Sequence, residues 1–572
     1  MNKAAILHIS ESFMAYATGL DKLKIRLRAD KKDELDVSLL YTYKCDDPHI
    51  WKEVAMEKTF VDEYHAYFEI DNKLRDKRFA YVFKIEDQNE AYYLSENGLE
   101  EVYDFPRFYF TSFHMPYIHE ADFFEPVEWM KDAVFYQIFP ERFRRGDFSK
   151  DDSYINQAWT DLPSPSSFVG GDIKGIIEKL DHIKDLGVTC LYLTPIFKSP
   201  TNHKYDTIDY FEIDPHFGDK IDFKKLVEKA HSLGVRIVLD AVFNHMCHEN
   251  PIFKDVREKG KDSKFYDWFY IDGDKADIEK INYETFAHVY NMPKLKTSNR
   301  GVQDYLIKIG KYWIEEFDID GWRLDVSDEV SHDFWKRFRK EIKSTKDDAI
   351  IIGENWHNAE TFLRGDEFDS IMNYAFTNAC LDYFKGKKTA QETSDYLNTV
   401  MMRNRDQANR MMLNFLDTHD TPRFITEVGG SLDKLFAALA LNVVYMGASC
   451  IYYGTEVGLE GNGDPDCRRA FPWDILGEKQ ELIEKIKKIL AVKKHETIRN
   501  GDIKIYSKDG LLIIERFTDK KILSLAITYI LNKYKKACFD SSFYKNPAFL
   551  YQDFAISFSQ SIKPFFPNIG SE

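Results

Sequence analysis

Over the first 125 residues apolar and polar side chains alternate in short runs, at Leu23–Arg28, Asp36–Tyr41, Tyr64–Ile70 and Phe79–Lys84. A period of two sends successive side chains to opposite faces of a strand, and Asp, Asn and Lys between the runs read as turns. This stretch therefore predicts an antiparallel β-sandwich. The pattern changes at Pro126, where apolar strands begin to alternate with amphipathic helices, the signature of a parallel sheet. Strands are expected at Ala133–Phe139, Cys190–Leu193, Val235–Leu239, Gly321–Leu324, Ala349–Ile352, Ser370–Asn373, Met411–Phe415 and Ser449–Tyr452. Helices are expected at Ile176–Leu186, Phe223–Leu233, Gln303–Phe317, Asp333–Lys343, Ala390–Arg403 and Lys434–Val444. Eight such strands predict an α/β fold, a closed (β/α)8 TIM barrel over 126–495, with its site at the C-terminal ends of the strands. An irregular stretch, 246–300, follows the third strand and is too long for a simple loop, so a small insert domain is expected beside the cleft. From 496 to 572 the alternation returns, at Gly510–Phe517 and Lys521–Ile527, and predicts a C-terminal antiparallel β-domain. Tyr534–Glu572 lacks clear alternation and reads as shortened or irregular.

Four of the barrel strands end on polar residues. The third gives Asp240, Asn244 and His245; the fourth gives Arg323, Asp325 and Glu329; the fifth gives Glu354 and Trp356; the seventh gives Asp417, His419, Asp420 and Arg423. One aspartate after a strand is commonly just a helix cap. Four sets in register on one barrel face point to chemistry. Asp325 and Glu354 are 29 positions apart, about one strand–helix–strand unit, so they belong on neighbouring strands at the same end. Paired carboxyl groups are the equipment of glycoside hydrolysis, and a retaining pair sits roughly 5–5.5 Å apart. Arg323, two residues before Asp325, would keep the nucleophile ionised. Glu354, beside other carboxylates and Trp356, is the expected acid, with like charge and desolvation favouring its protonated form. Asp420 would favour the cationic transition state, and His245 and His419 would donate to sugar hydroxyls.

Composition narrows the partners. A net charge of −17 argues against nucleic acid or an anionic membrane. Abundant Tyr, Phe and Trp suit a protein that stacks sugar rings, although most of these rings are expected in cores. The seven cysteines include no CxxC pair, so neither zinc nor a disulfide framework is signalled. No stretch reaches eighteen apolar residues and no leader pattern opens the chain, which gives the expectation of a soluble cytoplasmic protein.

In this order, DAVFNH (240–245), GWRLDVSDE (321–329), GEN (353–355) and FLDTHD (415–420) resemble the signature regions of the alpha-amylase superfamily of glycoside hydrolases. The resemblance implies the barrel, insert and C-terminal β-domain already read. It also implies Asp325 as nucleophile, Glu354 as acid/base and Asp420 as transition-state stabiliser. FYQIFPERF (135–143), HKYDTIDYFEIDPHFG (203–218), MPKL (292–295) and GDPDCRRAFPW (463–473) are similar to the neopullulanase, cyclomaltodextrinase and maltogenic amylase branch. By that likeness Tyr205 stacks on the sugar before the cleavage point, Trp356 and Glu329 line the aglycone side, and Asp466 and Arg468 lie beside the glycone subsites. A salt bridge bracing the strand-eight loop is an equal reading of that last pair. The N-terminal module would serve a homodimer whose contact narrows the cleft.

The branch often binds calcium after the first strand, and here Asp147, Asp151, Gly170 and Asp172 are the weak ligand candidates. Arg145 and Lys150 stand where the family pattern has two asparagines. Calcium wants oxygen ligands and these side chains offer only donors. No metal and no organic cofactor are therefore expected, with the two cations tying the loop down, although calcium stays an open option. Lys296 after MPKL and Ser327-Asp328 also depart from the branch, which bears on aglycone preference rather than on the reaction. The expected activity is retaining hydrolysis of α-1,4 bonds, with α-1,6 left open, in cyclodextrins, pullulan and maltooligosaccharides. An α-glucosidase or glucanotransferase on the same scaffold is the near alternative. A non-catalytic glucan-binding protein is the distant one.

Overall fold

The structure is a computed structural model that describes residues 1–519 and 521–527, with the strands at 547–550 and 554–560 described as backbone. The N-terminal module is two antiparallel sheets. One holds Ala15–Gly19, Lys22–Asp30, His65–Lys73 and Glu57–Val61; the other is built around Asp36–Tyr43 and Phe79–Glu86. Their inward positions, including Leu23, Ile25, Leu27, Leu39, Phe68, Tyr81 and Phe83, form one core. The module seats on its own barrel through a buried cation: Arg26 donates to Glu69 Oε1 at 2.5 Å and to the Asn404 carbonyl at 2.7 Å, and also pairs with Asp406.

The barrel strands are β1 (Val134–Ile138), β2 (Cys190–Leu193), β3 (Arg236–Ala241), β4 (Gly321–Leu324), β5 (Ile350–Gly353), β6 (Ser370–Ile371), β7 (Leu413–Asn414) and β8 (Ala448–Tyr452). They form one parallel sheet in the order β6-β5-β4-β3-β2-β1-β8-β7. A parallel bridge between Met372 and Leu413 joins its two ends, with Asn373 N–H donating to the Leu413 carbonyl at 2.9 Å, so the barrel closes. β6 and β7 are shorter than their apolar runs suggest, because only two residues of each keep ladder geometry. Between β5 and β6 the chain makes just one short turn, Glu360–Phe362, before reaching β6.

Local chemistry explains the elements that carry the site. The helix before β4, Arg300–Phe317, is capped by Asn299, whose side chain accepts from Gly301 and Val302 N–H. It buries Val302, Leu306, Ile309, Trp313 and Ile314, a 3–4 spacing that gives one apolar stripe. Asp318 then turns the chain with a left-handed φ of 57°. Gly321 opens β4 because a Cβ there would lie 2.3 Å from the Ile350 carbonyl of β5. All four residues of β4 are buried, as a two-faced parallel strand requires. The insert is a small unit of its own, with helix Pro251–Lys259 packing Phe253 against Phe269 and Tyr283. Bridges His245–Lys294 and Phe269–Leu295 tie it to the end of β3. The C-terminal sheet runs Asp502–Lys508, Leu511–Phe517, Lys521–Ile527, Phe554–Gln560, Pro547–Leu550. Most of Tyr534–Glu572 lies outside the described residues.

Candidate active site

β4 and β5 are paired in register, Arg323 opposite Ile352 and Leu324 opposite Gly353. The next residue of each strand end is thereby set side by side: Asp325 N–H donates to the Ala241 carbonyl of β3, and Glu354 N–H to the Leu324 carbonyl. The two carboxyl groups converge on one guanidinium. Arg323 NH1 donates to Asp325 Oδ1 at 2.9 Å, and its NH2 is ion-paired with Glu354 Oε2 at 2.9 Å. NH1 also reaches both oxygens of Asp240 at 3.0 Å. Asp325 is 5 % exposed and Glu354 7 %, a nearly dry floor that still touches solvent.

Three carboxyl groups around one cation would leave excess negative charge in a buried place, which is costly. Burial pushes Asp325 well above the usual carboxylate range; Arg323 opposes this, while Glu354, Asp240 and Asp420 add to it. Burial likewise raises Asp240 to about 6 against the pull of Arg323. Burial and the mutual repulsion of Asp240 and Asp325 thus favour protonation within the cluster, as a property of the coupled group rather than of one residue. Glu354 is held from two further sides. Val326 N–H donates to Oε2 at 2.9 Å and the Trp356 indole N–H to Oε1 at 3.1 Å. Val326 can aim its N–H there because it adopts a left-handed backbone, φ 47°, a strained choice for a β-branched residue. Trp356 is 54 % exposed and stacks on Tyr374 at 3.9 Å. It acts on Glu354 as an N–H donor, where the sequence suggested an apolar cover.

Asp420 stands on the β7 side. It accepts from Arg468 NH2 at 3.1 Å, and His419 Nε2 lies 3.1 Å from its other oxygen. The ring of Tyr205 lies parallel to His419, 4° apart with centroids at 5.6 Å, and its hydroxyl joins His419 to Asp240. His419 is buried; desolvation, then Arg468 and Arg323, hold it neutral. His245 is also neutral, pushed by burial to about 3. Its Nε2 meets the Tyr205 carbonyl at 3.1 Å and its ring stacks on Phe286, so it holds Tyr205 in place. On the outer side Glu329 is half-exposed and pairs with Lys294 Nζ at 2.6 Å, and Lys294 also donates to Asn244 Oδ1 at 2.5 Å. Asp466 and Arg468 do not pair with each other. Asp466 takes Arg469 at 2.7 Å, and Arg468 takes Asp420 and Asp464.

The loop after β1 is arranged differently from the ligand set read in the sequence. Lys150 Nζ sits among Asp172 Oδ2 at 2.9 Å, the Gly170 carbonyl at 3.2 Å and the His216 carbonyl at 2.6 Å. Asp147 is paired with Lys174 at 2.6 Å, and Asp151 accepts from the neighbouring Ser153, through its N–H and its side chain. Arg145 pairs with Asp152 at 3.0 Å. No group of three or more His, Cys, Asp or Glu among the described residues is placed to hold a metal ion.

Several contributors escaped the sequence. Tyr192 donates to Asp240 at 2.7 Å, Tyr374 supports Trp356, and Gln137 meets His419 at 2.8 Å. Gln137 alone had a signal, as a polar residue inside the apolar run of β1.

Residues 137–504 match the alpha-amylase catalytic domain and residues 1–119 the alpha-amylase N-terminal ig-like domain. The chain is 40% identical over 537 residues to the intracellular maltogenic amylase of Bacillus subtilis, covering 91% of this chain and 90% of that one. It is 41% identical over 512 residues to neopullulanase 2 of Thermoactinomyces vulgaris, covering 88% and 87%. A solved cyclomaltodextrinase structure superposes with a TM-score of 0.88 at 38% identity, covering 92% of this chain and 91% of that one. With a catalytic-domain match of that extent, the chain belongs to the alpha-amylase family.

Proposed function

We propose that the protein is a retaining glycosidase that hydrolyses α-1,4-glucosidic bonds in cyclodextrins, pullulan and maltooligosaccharides. The observation that carries this is the meeting of Asp325 and Glu354 on the two terminal nitrogens of Arg323. Glu354 delivers its proton to the glycosidic oxygen as Asp325 attacks the anomeric carbon, and the C–O bond to the leaving sugar breaks. Glu354 then takes a proton from water, whose oxygen displaces Asp325 and restores the original configuration. Arg323 stays hydrogen-bonded to Asp325 and ion-paired with Glu354, so charge moves between them beside a fixed cation. Asp420 lies toward the developing positive charge, with Arg468 fixing its direction. Trp356 and Glu329 offer the acceptor side a flat ring and a carboxylate. Reducing-sugar release from γ-cyclodextrin, pullulan and starch tests the reading. Wild type should release sugar and Asp325→Asn should not; equal release by both would favour a binding protein.

Lys150 supports a metal-free loop. Its ammonium is surrounded by three oxygens and neutralises Asp172, whose other bonds go to backbone N–H groups of Gly146, Asp147 and Gly175. A cationic donor among these oxygens supports the reading that Lys150 takes the place of an ion in this loop.

The N-terminal module carries exposed apolar side chains, among them Ile50, Val102, Tyr109 and Phe110. Homodimerisation through residues 1–125 fits such a surface, and light scattering at micromolar concentration tests it, a monomer counting against it. A cytoplasmic location is in keeping with the name of the Bacillus subtilis relative. Among the described residues no helix is long and apolar enough to cross a membrane.

A further inference from the structure

Gln137 lies within β1, in register with Tyr192 on β2 and Tyr452 on β8, and its side chain is buried. Its Nε2 is 2.8 Å from His419 Nδ1, while its Oε1 has no hydrogen-bond partner among the described residues. The other ring nitrogen, Nε2 of His419, lies 2.6 Å from the Tyr205 hydroxyl and 3.1 Å from Asp420 Oδ2.

The position of the imidazole proton follows from these neighbours. An ionised carboxylate only accepts, so a bare lone pair on Nε2 facing Asp420 would be repelled. The Tyr205 hydroxyl has Asp240 Oδ2 at 3.1 Å to donate to, and so can accept from Nε2–H. With the proton on Nε2, Nδ1 becomes an acceptor in a buried setting and needs a donor. The amide NH2 of Gln137 is that donor.

We propose that Gln137 is a positioning residue for the reaction, whose N–H on Nδ1 holds His419 in the Nε2–H tautomer and thereby keeps Asp420 and Tyr205 in their working directions. The proposal rests on the glycosidase reading above for the importance of Asp420, although the tautomer itself does not. Among the groups facing the ring, Arg468 and Arg323 oppose a second proton, while Glu354, Asp420 and Asp240 favour one. His203 also opposes a second proton, and Tyr205 and Cys467, whose Sγ donates to the His419 carbonyl at 3.1 Å, are further titratable neighbours.

The test compares wild type with Gln137→Glu and Gln137→Met. A glutamate accepts where the amide donates, so it draws the proton to Nδ1 and leaves Nε2 bare until the ring takes a second proton. On γ-cyclodextrin, kcat of Gln137→Glu should fall about 100-fold at pH 8 with KM within a few-fold, since a wrong tautomer and a lost donor act on the transition state. The ratio of variant to wild-type kcat should then rise as pH falls from 8 to 5. Gln137→Met, similar in shape but without a donor, should lose kcat at every pH with no such recovery. Nitrogen NMR of the ring-labelled histidines, with the His419 signal identified by its loss in His419→Asn, should show Nε2–H in wild type. A pH profile in Gln137→Glu parallel to wild type, full activity in Gln137→Met, or Nδ1–H on wild-type His419 would each overturn the proposal. If Asp325→Asn were as active as wild type the glycosidase reading would fail, yet the NMR result would still decide the tautomer.

Discussion

β4 has an aspartate at each end, and the two differ in everything except residue type and burial. Asp320, on the lower face, accepts from His231 at 2.8 Å, Lys346 at 3.0 Å, Arg236 at 3.3 Å and the Ile237 N–H at 2.8 Å. Burial pushes it up, but His231, Lys346 and the Ile237 N–H more than offset this, and it lies below the usual carboxylate range. Asp325, five residues on, shares one guanidinium with Asp240 and Glu354 and is pushed up. Burial therefore does not make a carboxylate reactive. The local balance of charge does: an excess of cations turns Asp320 into an anchor, and an excess of carboxyl groups pushes Asp325 toward its protonated form.

The largest expected effect separates the two ends outright. Asp325→Asn should lower kcat on γ-cyclodextrin by on the order of 10⁴-fold or more, with a melting temperature no lower than wild type. Asp320→Asn should keep kcat within a few-fold and destabilise the fold by about 3 kcal/mol, because Lys346, Arg236 and His231 lose their shared partner. Calorimetry and initial rates on both variants check this. Next, Glu354→Gln should cost roughly 10³-fold on cyclodextrin but far less on an aryl maltoside whose leaving group needs no proton. A similar loss on both substrates would remove Glu354 from the acid role.

The pH dependence of stability should carry opposite signs at the two ends. Asp240, raised to about 6, binds its proton more tightly folded than unfolded, where a carboxyl titrates near ~4. Its contribution is thus favourable at low pH and is lost as pH rises from about 4 to 6. Asp240→Asn should remove that slope, so its melting temperature relative to wild type should climb across this window. Asp320, held low, contributes fully above its unfolded pKa and loses that contribution as pH falls through its folded value. Asp320→Asn should therefore flatten the acid side of the curve. The smallest effect concerns the loop after β1, where chelator or added calcium should leave activity and melting temperature unchanged. Lys150→Ala should cost about 1–3 kcal/mol by stripping Asp172 and two carbonyls of their donor. A rise of several degrees with calcium would contradict this.

Much of this was legible in the sequence because strand and helix periods are local. Runs such as Ala349–Ile352 fix a strand, and the spacing from Asp325 to Glu354 fixes their side-by-side meeting. What escaped depends on contacts across the barrel. GWRLD gives no hint that Arg323 also serves Asp240 from β3, that Arg468 turns to Asp420 rather than Asp466, or that His245 meets the Tyr205 carbonyl. Asp318 and Asp320 read simply as a turn; only the fold brings His231, Arg236 and Lys346 onto one of them. Trp356 offers its ring to sequence reasoning, and the fold adds the direction of its N–H, toward Glu354.

The central claim is that Asp325 forms a covalent bond to the sugar while Glu354 manages the proton. The direct measurement is mass spectrometry of peptides after incubation with a 5-fluoro-α-glucosyl fluoride, whose ring fluorine slows both steps and whose leaving group keeps intermediate formation ahead of hydrolysis. The peptide carrying Asp325 should gain the mass of one fluoroglucosyl group, with none on the peptides carrying Glu354 or Asp420. Inactivation without that adduct, or an adduct on another carboxylate, would contradict it.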